Sequence, residues 1–104
     1  MVSDLLRKQF RFSQMVAKLI QYAHSIGYEV TCGDFYRDPR VKYGHKRSCH
    51  RSRLAADLNV FLDGEWQTGW VGHDQLHNRW DALGGAERIE NDPNHYSIEY
   101  GGMR

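Results

Sequence analysis

A run of alternating apolar residues near the middle of the sequence constrains the fold more than any other feature. Residues 53–62 have the two-residue period of a β-strand, and Asp57 places a charge on the second of its faces. The Asp63-Gly64 pair that follows is a strong signal for a tight turn, and it predicts a short return strand over 65–68. The apolar face of the main strand comprises Leu54, Ala56, Leu58, Val60 and Leu62. A face of this kind needs a covering layer, which predicts helices packed on one side of a sheet.

Two segments have the spacing of amphipathic helices. Residues 3–26 place apolar side chains at three- and four-residue steps, with Ser3 as the N-cap and Gly27 suited to a left-handed C-terminal residue. A shorter second helix is expected to stop at Gly84-Gly85. The apolar positions of the first helix are Leu5, Phe12, Val16, Leu19, Ala23 and Ile26, and those of the second are Leu76, Trp80 and Leu83.

The remaining segments complete a small antiparallel sheet. Residues 28–35 and 95–100 alternate like strands, whereas residues 36–52 are polar and basic and predict a loop. With 104 residues, the chain is long enough for one compact domain and too short for two. We therefore predict a single α+β domain spanning 1–104, with the helices on one face of the sheet and a cleft on the other.

Several metal-binding residue types are expected to meet in this cleft. Asp57 and His95 lie on the polar sides of two strands, so they can project together if those strands are neighbours. His50 precedes the first of these strands and can fold back over it. Zinc takes nitrogen, sulfur and carboxylate ligands at about 2.0–2.3 Å, and three protein ligands suffice for a catalytic site. Asp92, in a turn-prone segment just before His95, could bring a second carboxylate to the metal-activated water.

Composition argues against two classes of function. Hydrophobic residues make up 40% of the chain and charged residues 26%, as in ordinary globular domains. The net charge of +1 favours neither a nucleic-acid binder nor a polybasic membrane binder, and no stretch predicts stable membrane insertion. We interpret Cys32 and Cys49 as reduced packing residues, with a metal-ligand role for Cys49 less favoured. No signal peptide is evident, which predicts synthesis in a cytoplasm.

The stretch from Arg37 to Arg53 is rich in basic residues. A solvated loop and a patch that faces an anionic polymer explain it equally well. Its arginines and lysines are Arg37, Arg40, Lys42, Lys46, Arg47, Arg51 and Arg53.

Three short segments together resemble a known signature. Ser48-Cys49-His50, residues 54–57 ending in Asp57, and Asp92-Pro93-Asn94-His95 resemble S-x-H-x(6)-D … D-x-x-H. This is the signature of zinc peptidases grouped with D-Ala-D-Ala carboxypeptidases and dipeptidases, of the hedgehog/DD-peptidase fold. Phage L-alanyl-D-glutamate endopeptidases, which act as endolysins, belong to the same group. The similarity runs from about Gly33 to Arg104.

The resemblance implies a role for each matching residue. Asp92 would be the general base that takes a proton from the zinc-activated water, and Arg37 would steady the developing oxyanion. Ser48 would contact the substrate or the metal shell. Cys49 departs from the pattern, because a bulkier apolar residue is expected there. The implied ligands of one zinc ion are His50, Asp57 and His95.

The resemblance also implies a function. The chain would hydrolyse an amide bond in the peptidoglycan stem peptide, and Asp rather than Glu at position 92 favours the L-alanyl-D-glutamate bond. It would be a monomer made in the host cytoplasm that reaches the cell wall after release, with a holin-type partner for delivery. A D-Ala-D-Ala carboxypeptidase and a non-catalytic zinc-stabilised binding module are the alternatives.

A second histidine motif competes for the metal. Residues 73–77, His-Asp-Gln-Leu-His, are similar to the helical H-E-x-x-H zinc motif with Asp in place of Glu. Aspartate is one methylene shorter and no third ligand follows at the usual spacing, so the first group is preferred. We interpret His24 and His45 as ordinary surface or core histidines. The tryptophans interpreted as core or rim packing residues rather than a sugar-binding platform are Trp66, Trp70 and Trp80.

Overall fold

The computed structural model of the protein describes residues 2–38, 40 and 49–104. In this part of the chain, two helices accompany a four-stranded antiparallel sheet, so the predicted α+β class is confirmed. The elements are α1 (Asp4–Ser25), β1 (Glu29–Cys32), a 3₁₀ turn (Cys49–Ser52), β2 (Ala55–Leu62), β3 (Glu65–Gln67), α2 (Trp70–Leu83) and β4 (His95–Ser97).

Strand β2 is the centre of the sheet and pairs with the other three strands. It is antiparallel to β1 on one edge, while β3 pairs with its last residues and β4 with its first. The amide of Asp57 donates to the carbonyl of Asp34, whereas the amide of Leu58 donates to that of Asn94. Because successive amides of a strand point to opposite edges, β4 lies on the edge opposite β1. The register then places Asp57 directly across from His95.

Helix α1 begins and ends as the sequence predicts. The Ser3 hydroxyl accepts a hydrogen bond from the amide of Leu6, at 3.1 Å, and satisfies one of the open donors of the first turn. Gly27 has a φ of 93°, a left-handed conformation that is costly for other residues and ends the helix. The stripe that α1 buries consists of Phe12, Met15, Val16, Leu19 and Ala23.

One apolar core lies between the helices and the sheet. Leu54, Ala56, Leu58 and Val60 are fully buried, as the alternation of β2 predicts. They share this core with the stripe of α1 and with buried residues of α2. Leu62 was expected on the same face but is exposed, because it is the last residue of β2 before the hairpin turn. The turn itself forms as predicted, with positive φ at both Asp63 and Gly64.

Two residues for which packing was predicted are exposed, so Trp66 is not in the core and the packing role of Cys32 is wrong. Trp66 is 61% exposed, because β3 is a short edge strand and the register sets Trp66 opposite Phe61, on the face of β2 that also carries Asp57. Cys32 is also exposed, at the end of β1. Trp80, in contrast, is fully buried.

The C-terminal end of α2 is joined to β4 through Trp80. The indole N–H of Trp80 donates to the carbonyl of Ser97 at 2.8 Å, and the amide of Ala86 donates to the same carbonyl. Gly84 has a φ of 97° and closes the helix. Gly85 then passes so close to Trp80 that a Cβ there would overlap the indole ring.

We expect the Gly85→Ala substitution to lower the free energy of unfolding by about 1–3 kcal/mol, because the added methyl must displace a fully buried tryptophan. Urea unfolding followed by tryptophan fluorescence measures this change. The control is Gly69→Ser, where no atom of the described residues lies within 4 Å of an added Cβ and serine is a good N-cap for α2. Equal stabilities for Gly85→Ala and wild type would contradict the close packing.

Candidate metal centre

Three distant side chains converge at the junction of β2 and β4. His50 comes from the 3₁₀ turn, Asp57 from the middle of β2 and His95 from the first position of β4. Asp57 and His95 are direct cross-strand partners, so their side chains project from the same face of the sheet. The structure therefore brings together the three residues that the sequence proposes as ligands.

The separations in this group suit a single small cation. Asp57 Oδ1 lies 3.1 Å from His50 Nε2 and 3.6 Å from His95 Nδ1. One ligand atom from each residue lies within 4.8 Å of the other two. Ligands held tetrahedrally at about 2.0–2.1 Å from a metal are about 3.3 Å from one another. Among the described residues, His50, Asp57 and His95 form the group that could hold a metal ion.

The group combines one charged carboxylate with two buried imidazoles. His50 is 2% exposed and His95 is 5% exposed. Burial tends to raise the pKa of Asp57, but hydrogen bonds and charge interactions with both histidines outweigh it and lower the pKa to about 2. In the described part of the chain, the buried Nε2 of His95 has no hydrogen-bond partner. A bound cation fits this donor set, because it would be held by an ionised carboxylate and by ring nitrogens.

Asp92 lies at the edge of the group in a tight turn. The amide of His95 donates to the carbonyl of Asp92, and the Oδ2 of Asp92 lies 3.9 Å from His95 Nδ1. Its side chain is 46% exposed, whereas the two histidines are buried. Partial burial raises the pKa of Asp92, with the nearby charge of His95 acting in the opposite direction. Asp92 is therefore placed between the buried group and solvent.

Arg37 is attached to the group through the backbone of His50. Its amide donates to the carbonyl of His50 at 3.1 Å, and a guanidinium nitrogen lies 3.6 Å from a carboxylate oxygen of Asp34. The residue is 8% exposed, so this arginine is not part of a solvated loop. Its positive charge also lowers the pKa of Asp92, although less than other contributions do. The guanidinium is thus electrostatically coupled to the carboxylate that borders the site.

The rest of the basic stretch divides into described and undescribed parts. Ser48, Lys42, Lys46 and Arg47 lie outside the described residues, as does His45. Arg40 is exposed and paired with Asp38, and Arg53 places its guanidinium 4.1 Å above the ring of Tyr36.

Cys49 is a packing residue, as the sequence predicts. Its side chain is fully buried and its thiol contacts the carbonyl of Ile98 at 3.4 Å. Burial raises the pKa of the thiol to about 11, so sulfur stays protonated at neutral pH. Among the described residues, Cys49 does not belong to the group that could hold a metal ion.

The second histidine motif forms a support for β4. His73 Nδ1 lies 2.6 Å from the hydroxyl of Tyr96, and His77 stacks on the Tyr96 ring with centroids 4.2 Å apart. His77 Nε2 lies 2.6 Å from the carbonyl of Pro93. Among the described residues, no third histidine, cysteine or carboxylate joins this pair. Sequence reasoning missed this role, although the positions 73, 77 and 80 share one helix face with Leu76 and could have indicated it.

Gly33 is a further site residue that the sequence did not single out. Its amide donates to the carbonyl of Asp57 at 2.7 Å. A Cβ at this position would lie 3.1 Å from that carbonyl oxygen and 3.2 Å from the Asp57 Cβ. The absence of a side chain at Gly33 therefore lets the two backbones approach closely at the carboxylate.

The buried His77 generates a prediction for acid stability. Burial is the main cause that lowers the pKa of His77 from 6.5 to about 4, and the charges of Arg88 and His73 lower it further. The hydrogen bond to Pro93 and the charge of Asp81 act in the opposite direction. The unfolded chain therefore takes up a proton near pH 6.5 that the folded chain resists. The contribution of His77 to the free energy of unfolding should be fully present above about pH 6.5, and about 3 kcal/mol of it should be lost as the pH drops to 4.

Replacing His77 by Gln should flatten this part of the pH profile. Urea unfolding between pH 4 and 8, in the presence of a chelator, measures the slope. His24→Gln is the matched control, because His24 is exposed and its loss should leave the slope unchanged. A His77→Gln profile parallel to that of the wild type would assign the acid sensitivity to other groups.

The described helices and the comparisons add two findings. Within residues 2–38, 40 and 49–104, no helix is both long and apolar enough to cross a bilayer. No protein-family model and no curated protein matches this chain. The functional assignment therefore depends on the geometry at His50, Asp57 and His95 and on the motifs that surround them.

Proposed function

We propose that this protein is a zinc-dependent peptidase that hydrolyses an amide bond in the peptide part of bacterial peptidoglycan. The observation that carries the proposal is the convergence of Asp57 on two buried imidazoles, with a second carboxylate, Asp92, at the solvent side. Metal-binding groups alone are common in proteins. A metal-binding group bordered by a half-exposed carboxylate and a buried arginine has, in addition, the parts that amide hydrolysis needs.

Zinc is the metal that best suits this donor set. Two imidazoles and one carboxylate are its ordinary ligands in hydrolases, and three protein ligands leave a fourth position open. When bound, the ion lowers the pKa of water to about 7 and polarises a carbonyl group. The residues that would hold it are His50, Asp57 and His95.

The chain's own residues would move the proton and stabilise the charge. The Asp92 carboxylate accepts a proton from the attacking water and returns it to the amine nitrogen as the carbon–nitrogen bond breaks. The partial exposure of Asp92 leaves its carboxylate accessible to the water and to the amine nitrogen. The Arg37 guanidinium balances the negative charge that develops on the carbonyl oxygen. Burial and the bond to the His50 carbonyl keep Arg37 close to the metal ligands.

The substrate class follows from the motif resemblance. Ser48, His50, Asp57, Asp92 and His95 match the order and spacing of the zinc peptidases described above, of the hedgehog/DD-peptidase fold. Asp at position 92, rather than Glu, favours a phage endolysin that cuts the L-alanyl-D-glutamate bond. In this proposal the enzyme is a monomer made in the host cytoplasm, and a holin-type partner gives it access to the wall.

The product distinguishes this activity from a D-Ala-D-Ala carboxypeptidase. Cleavage of the L-alanyl-D-glutamate bond leaves L-alanine on the glycan and releases a peptide that begins with D-glutamate. A carboxypeptidase would instead release a single D-alanine from the pentapeptide end. Mass analysis of a digest of purified peptidoglycan separates the two, and release of D-alanine alone would replace the endopeptidase assignment.

We expect His50→Ala to weaken zinc binding by about 100-fold or more, because one of three ligands is lost. Competition with a chromophoric chelator measures the affinity, and metal analysis of the purified protein measures the stoichiometry. His24→Ala is the control, since His24 is exposed and pairs only with Glu29 among the contacts described. Zinc binding by His50→Ala at the wild-type affinity would exclude His50 as a ligand.

We expect Asp92→Asn to retain zinc and to lower the rate of wall hydrolysis by about 10²–10⁴-fold, the usual contribution of a general base. Turbidity loss of purified cell walls and release of peptides measure the rate. Glu90→Gln removes a nearby exposed carboxylate and should leave the rate unchanged. Full activity in Asp92→Asn would remove Asp92 from the mechanism. Zinc binding without hydrolysis by the wild type would favour the non-catalytic binding module.

A further inference from the structure

Helix α2 contacts β4 through a row of buried polar side chains that the proposed chemistry does not use. His73, His77 and Trp80 follow one another along one face of the helix and are all buried. Each makes a polar contact with the segment that ends in β4: His73 with Tyr96, His77 with Pro93 and Trp80 with Ser97. The segment that carries Asp92 and His95 is therefore held from behind by one helix.

The contact of His77 lies within the turn itself. Pro93 follows Asp92 directly, and its carbonyl oxygen is 2.6 Å from His77 Nε2. A carbonyl can only accept, so Nε2 carries the proton and donates it. In the described part of the chain, Nδ1 of His77 is buried without a hydrogen-bond partner. This fixes both the tautomer of the ring and the orientation of the Pro93 carbonyl.

The same ring also fixes the residue that follows His95. His77 stacks on Tyr96 with an angle of 15° between the rings, and the Tyr96 hydroxyl is hydrogen-bonded to Nδ1 of His73. Neighbouring side chains of a strand point to opposite faces, so Tyr96 points towards α2 while His95 points towards Asp57. A shift of Tyr96 therefore displaces His95 from the metal-binding group.

We propose that His77 is a positioning residue that orients the Asp92–His95 turn for metal binding and hydrolysis. The inference rests on the proposed function, because it assigns His77 a role in that same site. His77 touches neither the metal ligands nor Asp92 in any contact described, and it acts through Pro93 and Tyr96. The positioning depends on the N–H donor, since it holds the Pro93 carbonyl, while the stacked ring packs against Tyr96.

The test compares His77→Leu, which removes the donor, with His77→Gln, which can still donate to Pro93. We expect His77→Leu to bind zinc about 10–100-fold more weakly, the usual effect of losing a residue that orients metal ligands. Its kcat on stem peptides should fall by about 100-fold with little change in KM, because the reacting groups are misplaced rather than the substrate. His77→Gln should recover both values to within about threefold of the wild type.

Glutamine is not an ordinary zinc ligand, so recovery in His77→Gln distinguishes positioning from direct ligation. The electronic spectrum of the cobalt-substituted protein should show unchanged ligands in His77→Gln. His24→Gln serves as the control for loss of a histidine. If circular dichroism shows that His77→Leu does not fold, His77→Phe replaces it, since it keeps the stacked ring and lacks the donor.

Each outcome decides the inference. Wild-type zinc affinity and kcat in a folded His77→Leu, or in His77→Phe, would overturn it. Loss of a nitrogen ligand from the cobalt spectrum of His77→Gln would also overturn it, because His77 would then be a ligand. A wild-type protein that binds no zinc would refute the proposed function itself, and this result is independent of the variants.

Discussion

The pairing of β2 with β4 is the interaction on which the candidate site depends. It sets Asp57 directly across from His95, and a shift of one residue would turn one of these side chains to the opposite face. Two backbone hydrogen bonds flank this pairing and hold its register. The amide of Leu58 donates to the carbonyl of Asn94, and the amide of Ile98 donates to the carbonyl of Leu54. Because Leu54 and Leu58 are fully buried, the same strand that fixes the ligands also anchors the core. Folding and the assembly of the candidate metal centre thus share one constraint.

A second constraint is the position of His50, which no strand provides. The 3₁₀ turn brings it to β2, and its carbonyl accepts hydrogen bonds from the amides of Arg37 and Arg53. Arg53 has a φ of 56°, a left-handed conformation that is uncommon for a residue with a side chain. The backbone is therefore strained at the end of the turn that places His50 next to Asp57. Such local strain is typical of functional sites, where the surrounding contacts stabilise it.

Much of this arrangement could be predicted from the sequence because it follows local rules. The period of β2, the Ser3 cap and the Asp63-Gly64 turn depend on neighbouring residues, and all three form as expected. The convergence of the ligands could be predicted because the strand faces of Asp57 and His95 are fixed by alternation. The exposure of Trp66 and the contact of His77 with the Pro93 carbonyl could not be predicted, since both depend on which elements meet in three dimensions. The enzymatic roles of Asp92 and Arg37 stay predictions.

Among the five histidines that the structure describes, four are buried, and their burial shows how this small domain is organised. A buried imidazole is costly unless it finds a partner, so each needs a reason to be inside. His50 and His95 lie on one side of β4 around Asp57, whereas His73 and His77 lie on the other side around Tyr96. The rear pair is hydrogen-bonded to protein groups, and burial lowers the pKa of both rings. The front pair lies on either side of the Asp57 carboxylate, and these three residues form a group that could hold a metal ion.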